Sequence, residues 1–303
     1  MSIKVKGLLK TYGDQKALND VSFEVHPGEI VGFIGPNGAG KTTTMKILTG
    51  YTLPEAGEAW VNDQSIRDDH IRIRRNIGYL PEHNPLYLEM YVMEYLEYVA
   101  GLYGQAKDAR ARIREVVELT GLDKEKHKKI GALSKGYRQR TGLAQAIIHD
   151  PGVLILDEPT SGLDPNQIKE IRTMISRLGQ EKTVLLSTHI MQEVEAICDR
   201  IIIINNGRIV ADDQVENISA SLSKDKQTVM VEFDQPVACE LLNQIEGVSQ
   251  TRKIDENKWL FESNFQQDIR QAIFQFAVRK GLTVLSMQKK ENSLEEVFRK
   301  LTR

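Results

Sequence analysis

From Ser2 to Tyr12 apolar and polar residues alternate, the pattern of a half-buried strand, and after a Gly13-Asp14 turn a second strand runs near Leu18 to Val25. His26-Pro27-Gly28-Glu29 is a turn, and alternation then gives way to a continuous apolar run, Glu29 to Ile34, which reads as a strand buried on both faces. Pro54-Glu55-Ala56-Gly57 turns into a short strand, Glu58 to Val61, and Ile77 to Leu80 reads as another. From Leu88 to His149 the period changes: Tyr91, Tyr95, Tyr98, Val99 and Leu102 recur at helical spacing, as do Ile113, Val116, Val117 and Thr120. This predicts a helical insert between two halves of a sheet, with the tyrosine stripe packed in the core. Three short apolar runs follow at helix-length intervals, Val153 to Leu156, Thr183 to Leu186 and Arg200 to Ile204, which signals buried parallel strands of an α/β fold. A hairpin turning at Asn205-Asn206-Gly207 closes this part.

Near Val215 the pattern predicts a boundary. The remainder reads strand (Gln227 to Phe233), helix (Val237 to Ile245), two strands (Val248 to Lys253, Trp259 to Glu262), helix (Gln267 to Lys280), strand (Leu282 to Met287) and a last helix, Leu294 to Leu301. βαββαβ is the order of a ferredoxin-like module. The expected division is therefore an α/β domain over 1–213, with its helical insert at about 83–149, and a small α+β accessory domain over 215–303.

Composition narrows the function classes. Forty Lys and Arg against 42 Asp and Glu leave a net charge of −2, with no basic excess pointing to nucleic acid. The basic run Lys124, Lys126, Lys128 and Lys129 reads as a solvated face. Cys198 and Cys239 are far apart and form no CxxC pair, so neither a metal cluster nor a disulfide framework is indicated, and a reducing cytosol is the expected setting. No apolar run approaches the ~18 residues of a membrane span.

The chemistry centres on Gly35-Pro36-Asn37-Gly38-Ala39-Gly40-Lys41-Thr42-Thr43, which fits G-x-x-x-x-G-K-[ST] and lies between a buried strand and a helical stretch. The glycines let successive backbone N–H groups turn inward toward a polyphosphate, and the helix beginning at Lys41 adds its positive end. Lys41 has the reach for the β- and γ-phosphates, the Thr42 hydroxyl suits Mg²⁺, and Thr43 is expected near the α-phosphate. A dinucleotide fingerprint is excluded because Thr43 stands where its last glycine would fall.

Two carboxylates, Asp157 and Glu158, end the run Val153 to Leu156, at the strand edge where ligands bind in open α/β sheets. Asp157 suits Mg²⁺, and Glu158 suits polarisation of the attacking water. Ser187-Thr188-His189 ends the next strand, so His189 is expected at the same edge, near the γ-phosphate or the water. Leu133 to Arg140 reads as a helix start with Ser134 as its cap.

Taken in order, Tyr12, GPNGAGKTT, YLPE (Tyr79 to Glu82), LSKGYRQR (Leu133 to Arg140), LILDEPTSGLD (Leu154 to Asp164) and STH resemble the nucleotide-binding subunit of an ABC transporter over residues 2 to 213. The resemblance implies a P-loop ATPase fold with an antiparallel β-subdomain, ATP and Mg²⁺ as ligands, and a homodimer or a pseudo-dimer with a related subunit. It also implies a separate transmembrane permease, a position on the cytoplasmic face of the inner membrane through that partner, and no nucleic acid. By resemblance Tyr12 stacks on adenine, Glu82 occupies the lid position that contacts Mg²⁺, Glu158 is the catalytic base and His189 the switch histidine. Ser134, Lys135, Gly136 and Tyr137 match the signature motif that meets the γ-phosphate of the other subunit, and Asp164 matches the D-loop aspartate.

Three positions depart from the family pattern: Lys135 and Tyr137 replace Gly and Gln of LSGGQ, and Glu82 replaces the lid Gln. A lysine near the trans phosphate is expected to tighten closure, whereas a carboxylate at 82 adds negative charge beside Mg²⁺. The wording LSKGYRQR, YLPEHNPLY and SLEEVF (Ser293 to Phe298) is similar to the ABC-2 export branch and, within it, to gliding-motility-associated ATP-binding subunits. Two rival readings are weighed. A non-transport ABC ATPase acting on DNA or ribosomes predicts a long coiled coil or a second cassette, and a nucleotide-sensing interaction protein predicts loss of Glu158 or His189. The sequence shows none of these features.

Overall fold

A computed structural model describes residues 2–68, 70–104, 109–218, 227–263, 268–290 and 294–302; Gln267 and Ser293, named above, lie outside them. The chain forms two compact units, the first ending at Gln214 and the second beginning at Val215.

In the first unit, β1 (Ile3–Tyr12), β2 (Gln15–Val25), β4 (Ala56–Val61) and the two-residue β5 (Gln64–Ser65) form an antiparallel sheet of order β2-β1-β4-β5. A six-stranded sheet holds β3 (Ile30–Ile34), β6 (Ile77–Leu80), β7 (Val153–Asp157), β8 (Thr183–Thr188), β9 (Arg200–Asn205) and β10 (Arg208–Gln214). Its order is β10-β9-β3-β8-β7-β6, parallel throughout except for β10. Every residue of β3, β7 and β8 is buried, which explains their unbroken apolar runs. One core joins inward residues of the antiparallel sheet, such as Val5 and Phe23, to Val31, Phe33, Ile155 and Leu185 of the parallel sheet and Met45 and Leu48 of α1 (Lys41–Leu48). Burying this apolar surface removes it from water and locks the helix behind the P-loop to both sheets.

The insert joins β6 to β7, which are neighbours at the sheet edge, through α3 (Val92–Leu102), α4 (Ala109–Leu119) and α5 (Lys135–Ile147). The expected tyrosine core is only half realised. Tyr95 and Val99 are buried, but Tyr91, Tyr98 and Leu102 are exposed, because α3 is covered along one side only. The helix α2 (His70–Asn76) has no counterpart in the sequence reading; HIRIRRN places Ile73 alone in the core and shows no apolar stripe. α6 (Pro165–Gly179) and α7 (Met191–Ile197) complete the unit. Asp164 caps α6 by accepting the N–H groups of Asn166 and Gln167, each at 3.0 Å, with Pro165 opening the first turn.

The second unit follows β-α-β-β-α-β with β11 (Gln227–Phe233), α8 (Cys239–Leu242), β12 (Gln250–Lys253), β13 (Lys258–Ser263), α9 (Arg270–Lys280) and β14 (Val284–Lys290), then α10 (Leu294–Leu301). The sheet is antiparallel with order β12-β13-β11-β14, the ferredoxin-like arrangement. Val229, Val231, Trp259 and Phe261 face Ile273 and Phe276 of α9. α8 is shorter than the pattern suggested: after Leu242 the chain continues in tighter turns, the Gln244 and Ile245 N–H groups bonding the Leu241 and Leu242 carbonyls three residues back.

Candidate nucleotide site

Gly35 follows β3 and is pressed against β9. A Cβ there would lie 2.3 Å from the Ile204 carbonyl, so only glycine passes. Gly40 caps α1 at φ 114°, where a side chain would meet the Ala17 carbonyl at 2.6 Å and Leu18 at 2.7 Å. Both requirements are tertiary, and they turn Gly35 to Gly40 into a loop whose backbone faces inward at the start of a helix, the arrangement that favours anions. Lys41 is buried and folds back on this loop, its Nζ donating to the Gly35 carbonyl at 2.7 Å and the Pro36 carbonyl at 3.3 Å. Burial pushes its pKa down, against the Glu158, Asp157 and Glu82 charges that push it up.

A cleft of about 460 Å³ opens over the loop, lined by Tyr12, Asn37, Gly38, Lys41, Thr42, Thr43, Glu82, Glu158 and His189 among others. The fold thus brings together residues from five separate stretches of the chain. Tyr12 stands at its rim, half exposed, with the Lys10 ammonium 5.5 Å from its ring centre. Glu158 follows β7 in a left-handed conformation at φ 50°, held by its N–H donating to the Ser187 carbonyl and hydroxyl, each at 3.1 Å. A non-glycine residue at positive φ is strained, and here the strain turns the carboxylate toward the phosphate loop. Its oxygens lie 4.0 Å from Lys41 Nζ and 2.8 Å from His189 Nδ1. Burial raises the Glu158 pKa, opposed first by His189 and then by Lys41.

Asp157 is almost fully buried. Its Oδ1 accepts the Ser187 hydroxyl at 2.5 Å, while Oδ2 is buried with no hydrogen-bond partner among the described residues. Such an oxygen carries a desolvation penalty that a cation relieves. Thr42, Glu82 and Asp157 share the wall of an adjoining cavity of about 680 Å³, so the three residues expected near a metal converge. No group of three or more His, Cys, Asp or Glu side chains able to hold a metal exists among the described residues, so a cation here would draw further oxygens from phosphate and water, the habit of Mg²⁺. Ser187 was not singled out by the sequence reading, although its position opposite Asp157 in the β7–β8 register is the signal that finds it.

The LSKGYRQR turn stands apart from this cleft. Ser134 caps α5, its Oγ accepting the Tyr137 N–H at 3.4 Å. Gly136 faces α6, where a Cβ would fall 2.6 Å from the Gln167 carboxamide, and Lys135 lies across Gly162. Gly136 and Tyr137 line a separate hollow of about 390 Å³ with Arg140 and Glu170. None of Ser134, Lys135, Gly136, Tyr137 and Asp164 lines the P-loop cleft of its own chain.

A glycine-rich phosphate loop after β3 of a parallel sheet, with a histidine after the neighbouring β8 and two carboxylates at the end of β7, the next strand out, defines a P-loop nucleoside triphosphatase. The ABC transporter family model matches residues 18–161. A model described as an AAA domain, putative AbiEii toxin, matches residues 129–195. The chain is 35% identical over 304 residues to the bacitracin transport ATP-binding protein BcrA of Bacillus licheniformis, covering 99% of this chain and 96% of BcrA. It is 34% identical to the ABC transporter ATP-binding protein YhcH of Bacillus subtilis, covering 99% and 95%. Among solved structures, an ATP-binding subunit of an ABC transporter superposes with a TM-score of 0.67 at 32% identity, covering 74% of this chain and 94% of that one. A dimeric ATP-binding cassette in a post-hydrolysis state with ADP and Pi gives 0.64 at 26% identity, covering 70% and 98%. The chain belongs to the family of ABC transporter ATP-binding subunits. It binds ATP and is an ATPase coupled to transport.

Proposed function

We propose that this chain is the ATPase of an ABC-2 type exporter, closing as a dimer around two ATP molecules and reopening on hydrolysis. The observation that carries the hydrolytic part is the single cluster made by Lys41, Glu158 and His189 beside the unpartnered Asp157 oxygen. Tyr12 would stack on the adenine; the backbone of Gly35, Pro36, Asn37, Gly38, Ala39 and Gly40 would cradle the phosphates with Lys41, and Thr43 the α-phosphate end. Thr42, Asp157 and Glu82 would hold Mg²⁺, which when bound supplies charge neutralisation at the β- and γ-phosphates. Glu158 takes a proton from water as the water oxygen bonds to the γ-phosphorus and the bond to the ADP oxygen breaks. The raised pKa of Glu158 makes its carboxylate a stronger base, and the His189 contact fixes its direction.

Separation of the LSKGYRQR turn from its own P-loop cleft supports action in trans, with Ser134, Lys135, Gly136 and Tyr137 meeting the γ-phosphate held by the second subunit and Asp164 linking the two sites. ATP then shifts the population toward the closed dimer because Lys41 and Ser134 of opposite subunits share one phosphate only there. The described helices include none long and apolar enough to cross a membrane, so a separate permease is part of this reading. Exposed Tyr87, Leu88, Tyr91, Tyr98 and Leu102 between the lid and the insert give that partner an apolar surface, about Glu82 to Tyr103. In this assignment residues 1–213 are the nucleotide-binding domain, 215–303 are an accessory domain, and the protein sits on the cytoplasmic face of the inner membrane.

Relatives support export: one is a bacitracin transport protein, and a Nod factor export ATP-binding protein of Ralstonia nicotianae is 39% identical over 211 residues. The LSKGYRQR and YLPEHNPLY wording supports the narrower likeness to gliding-motility-associated subunits. Steady-state ATPase assays of wild type and Glu158→Gln, with oligomeric state recorded with and without Mg-ATP, test the reading. Loss of turnover by roughly two to four orders of magnitude, with ATP trapping the variant as a dimer, is expected. Undiminished turnover in Glu158→Gln, or a chain that stays monomeric in both forms with saturating Mg-ATP, refutes it.

A further inference from the structure

We infer that Glu193 is a positioning residue for hydrolysis, a buried clasp that fixes the Glu158–His189 pair from behind; this rests on the roles proposed above for that pair. Glu193 lies in the first turn of α7 and is 1% exposed. A carboxylate this deep requires partners for both oxygens. Thr160 Oγ1 donates to Oε1 at 2.5 Å, and Thr188 Oγ1 donates to Oε2 at 2.8 Å. The two hydroxyls belong to the two loops that carry the reacting side chains. Thr160 lies two residues after Glu158, within the turn closed by the Ser161 N–H on the Glu158 carbonyl at 3.1 Å. Thr188 precedes His189, and its hydroxyl also accepts the Ile190 N–H at 3.1 Å, so the backbone is held on both sides of the histidine.

With the direct 2.8 Å contact between Glu158 and His189, these bonds close a ring: Glu158, His189, Thr188, Glu193, Thr160 and back along the chain to Glu158. Glu193 is the only member of the ring that touches both loops without lining the cleft. The Arg172 guanidinium lies 4.0 Å from Oε1, on the same carboxylate that accepts both hydroxyls. Without the clasp, Glu158 and His189 keep their own contact and the Glu158 N–H keeps its bonds to Ser187, but the two loops lose the side-chain support behind the pair that sets how it faces the phosphates. Displacing a reacting group by a fraction of an ångström to an ångström is enough to slow chemistry while leaving substrate binding intact.

The test is ATP hydrolysis and ATP binding by the full chain as Glu193→Ala, Glu193→Gln, His189→Ala and the Glu193→Ala/His189→Ala double variant, with thermal unfolding of each. The expected result is a kcat for Glu193→Ala lower by roughly ten- to a hundredfold, with the ATP KM within a few-fold of wild type. Gln, which can keep one hydroxyl and donate to the other, restores most of the rate. The double variant is slower than His189→Ala by much less than Glu193→Ala is slower than wild type, because part of what the clasp positions is already gone. Wild-type kcat in Glu193→Ala, or additive losses in the double variant, overturns the role of Glu193 while leaving the pair standing. Wild-type turnover in His189→Ala overturns the underlying reading instead. A Glu193→Ala chain that fails to fold shifts the decision to Thr188→Val, which removes one strand of the clasp and is expected to lower kcat with KM unchanged; wild-type kcat there likewise overturns the proposal.

Discussion

His149 makes the stability of the nucleotide-binding unit depend on pH in a calculable way. It follows α5, is 8% exposed, stacks on Tyr103 with ring centres 3.9 Å apart and makes a 3.1 Å hydrogen bond through Nε2 to the Ile77 carbonyl at the start of β6. Burial depresses its pKa from 6.5 to about 4, outweighing the carbonyl, which acts the other way. Because the folded pKa lies below the unfolded one, the unfolded chain binds more protons between those values, and stability falls as pH drops through that window. The full difference corresponds to about 3 kcal/mol, of which about 2.5 kcal/mol is lost between pH 7.5 and 4.5. His149→Phe keeps a ring against Tyr103 and gives up the hydrogen bond, a loss of about 1 kcal/mol at neutral pH. It should therefore be less stable than wild type at pH 7.5, equal to it at roughly pH 5.5 to 6, and more stable below. Urea unfolding in a Trp259→Phe background, where Trp60 alone reports on the first unit, measures this directly. Linkage from groups that do not interact with His149 cancels in the difference between the two proteins. Parallel loss of stability from pH 7.5 to 4.5 refutes the argument.

Gly40→Ala should abolish tight ATP binding and lower the melting temperature by far more than Gly13→Ala; both have positive φ, but only Gly40 would drive a methyl into the Ala17 carbonyl, while Gly13 faces open space and bears only the backbone strain of about 1 to 2 kcal/mol. Equal losses in thermal unfolding would remove steric closure as the reason for glycine in this loop. Glu82→Gln should leave nucleotide affinity nearly unchanged, because an exposed charge contributes less than about 1 kcal/mol, and should instead alter stimulation of turnover by the permease; a large loss of ATP affinity in titration calorimetry would count against the lid assignment.

Much of the fold was legible because burial on both faces leaves an unmistakable mark. β3, β7 and β8 are sealed between layers, so their sequences are unbroken apolar runs, and β1 and β2 alternate because only one face meets the core. α2 escaped notice since a helix with one buried isoleucine has no stripe to read. The tyrosines of α3 misled for a related reason: helical spacing says which residues share a face but not how far a neighbouring layer covers it. Tyr95 lies under that cover, and Tyr91 and Tyr98 lie at its margin.

By itself the sequence determined the chemistry of the phosphate loop, since G-x-x-x-x-G-K-T between strand and helix states its residue types and their spacing within eight adjacent positions. It also placed Asp157, Glu158 and His189 at one sheet edge, because a strand's last residues must emerge at its end. Only the tertiary structure decided that Ser187 occupies one oxygen of Asp157 and leaves the other unpartnered, that Glu158 is turned by a left-handed backbone onto His189, and that Glu193 ties Thr160 to Thr188. Except for Thr188 with Glu193, five positions apart, these pairings join residues roughly 30 positions apart, and the register of β7 against β8 sets Ser187 beside Asp157. Local pattern says what a residue can bond to, whereas which partner arrives depends on how two strands are stacked.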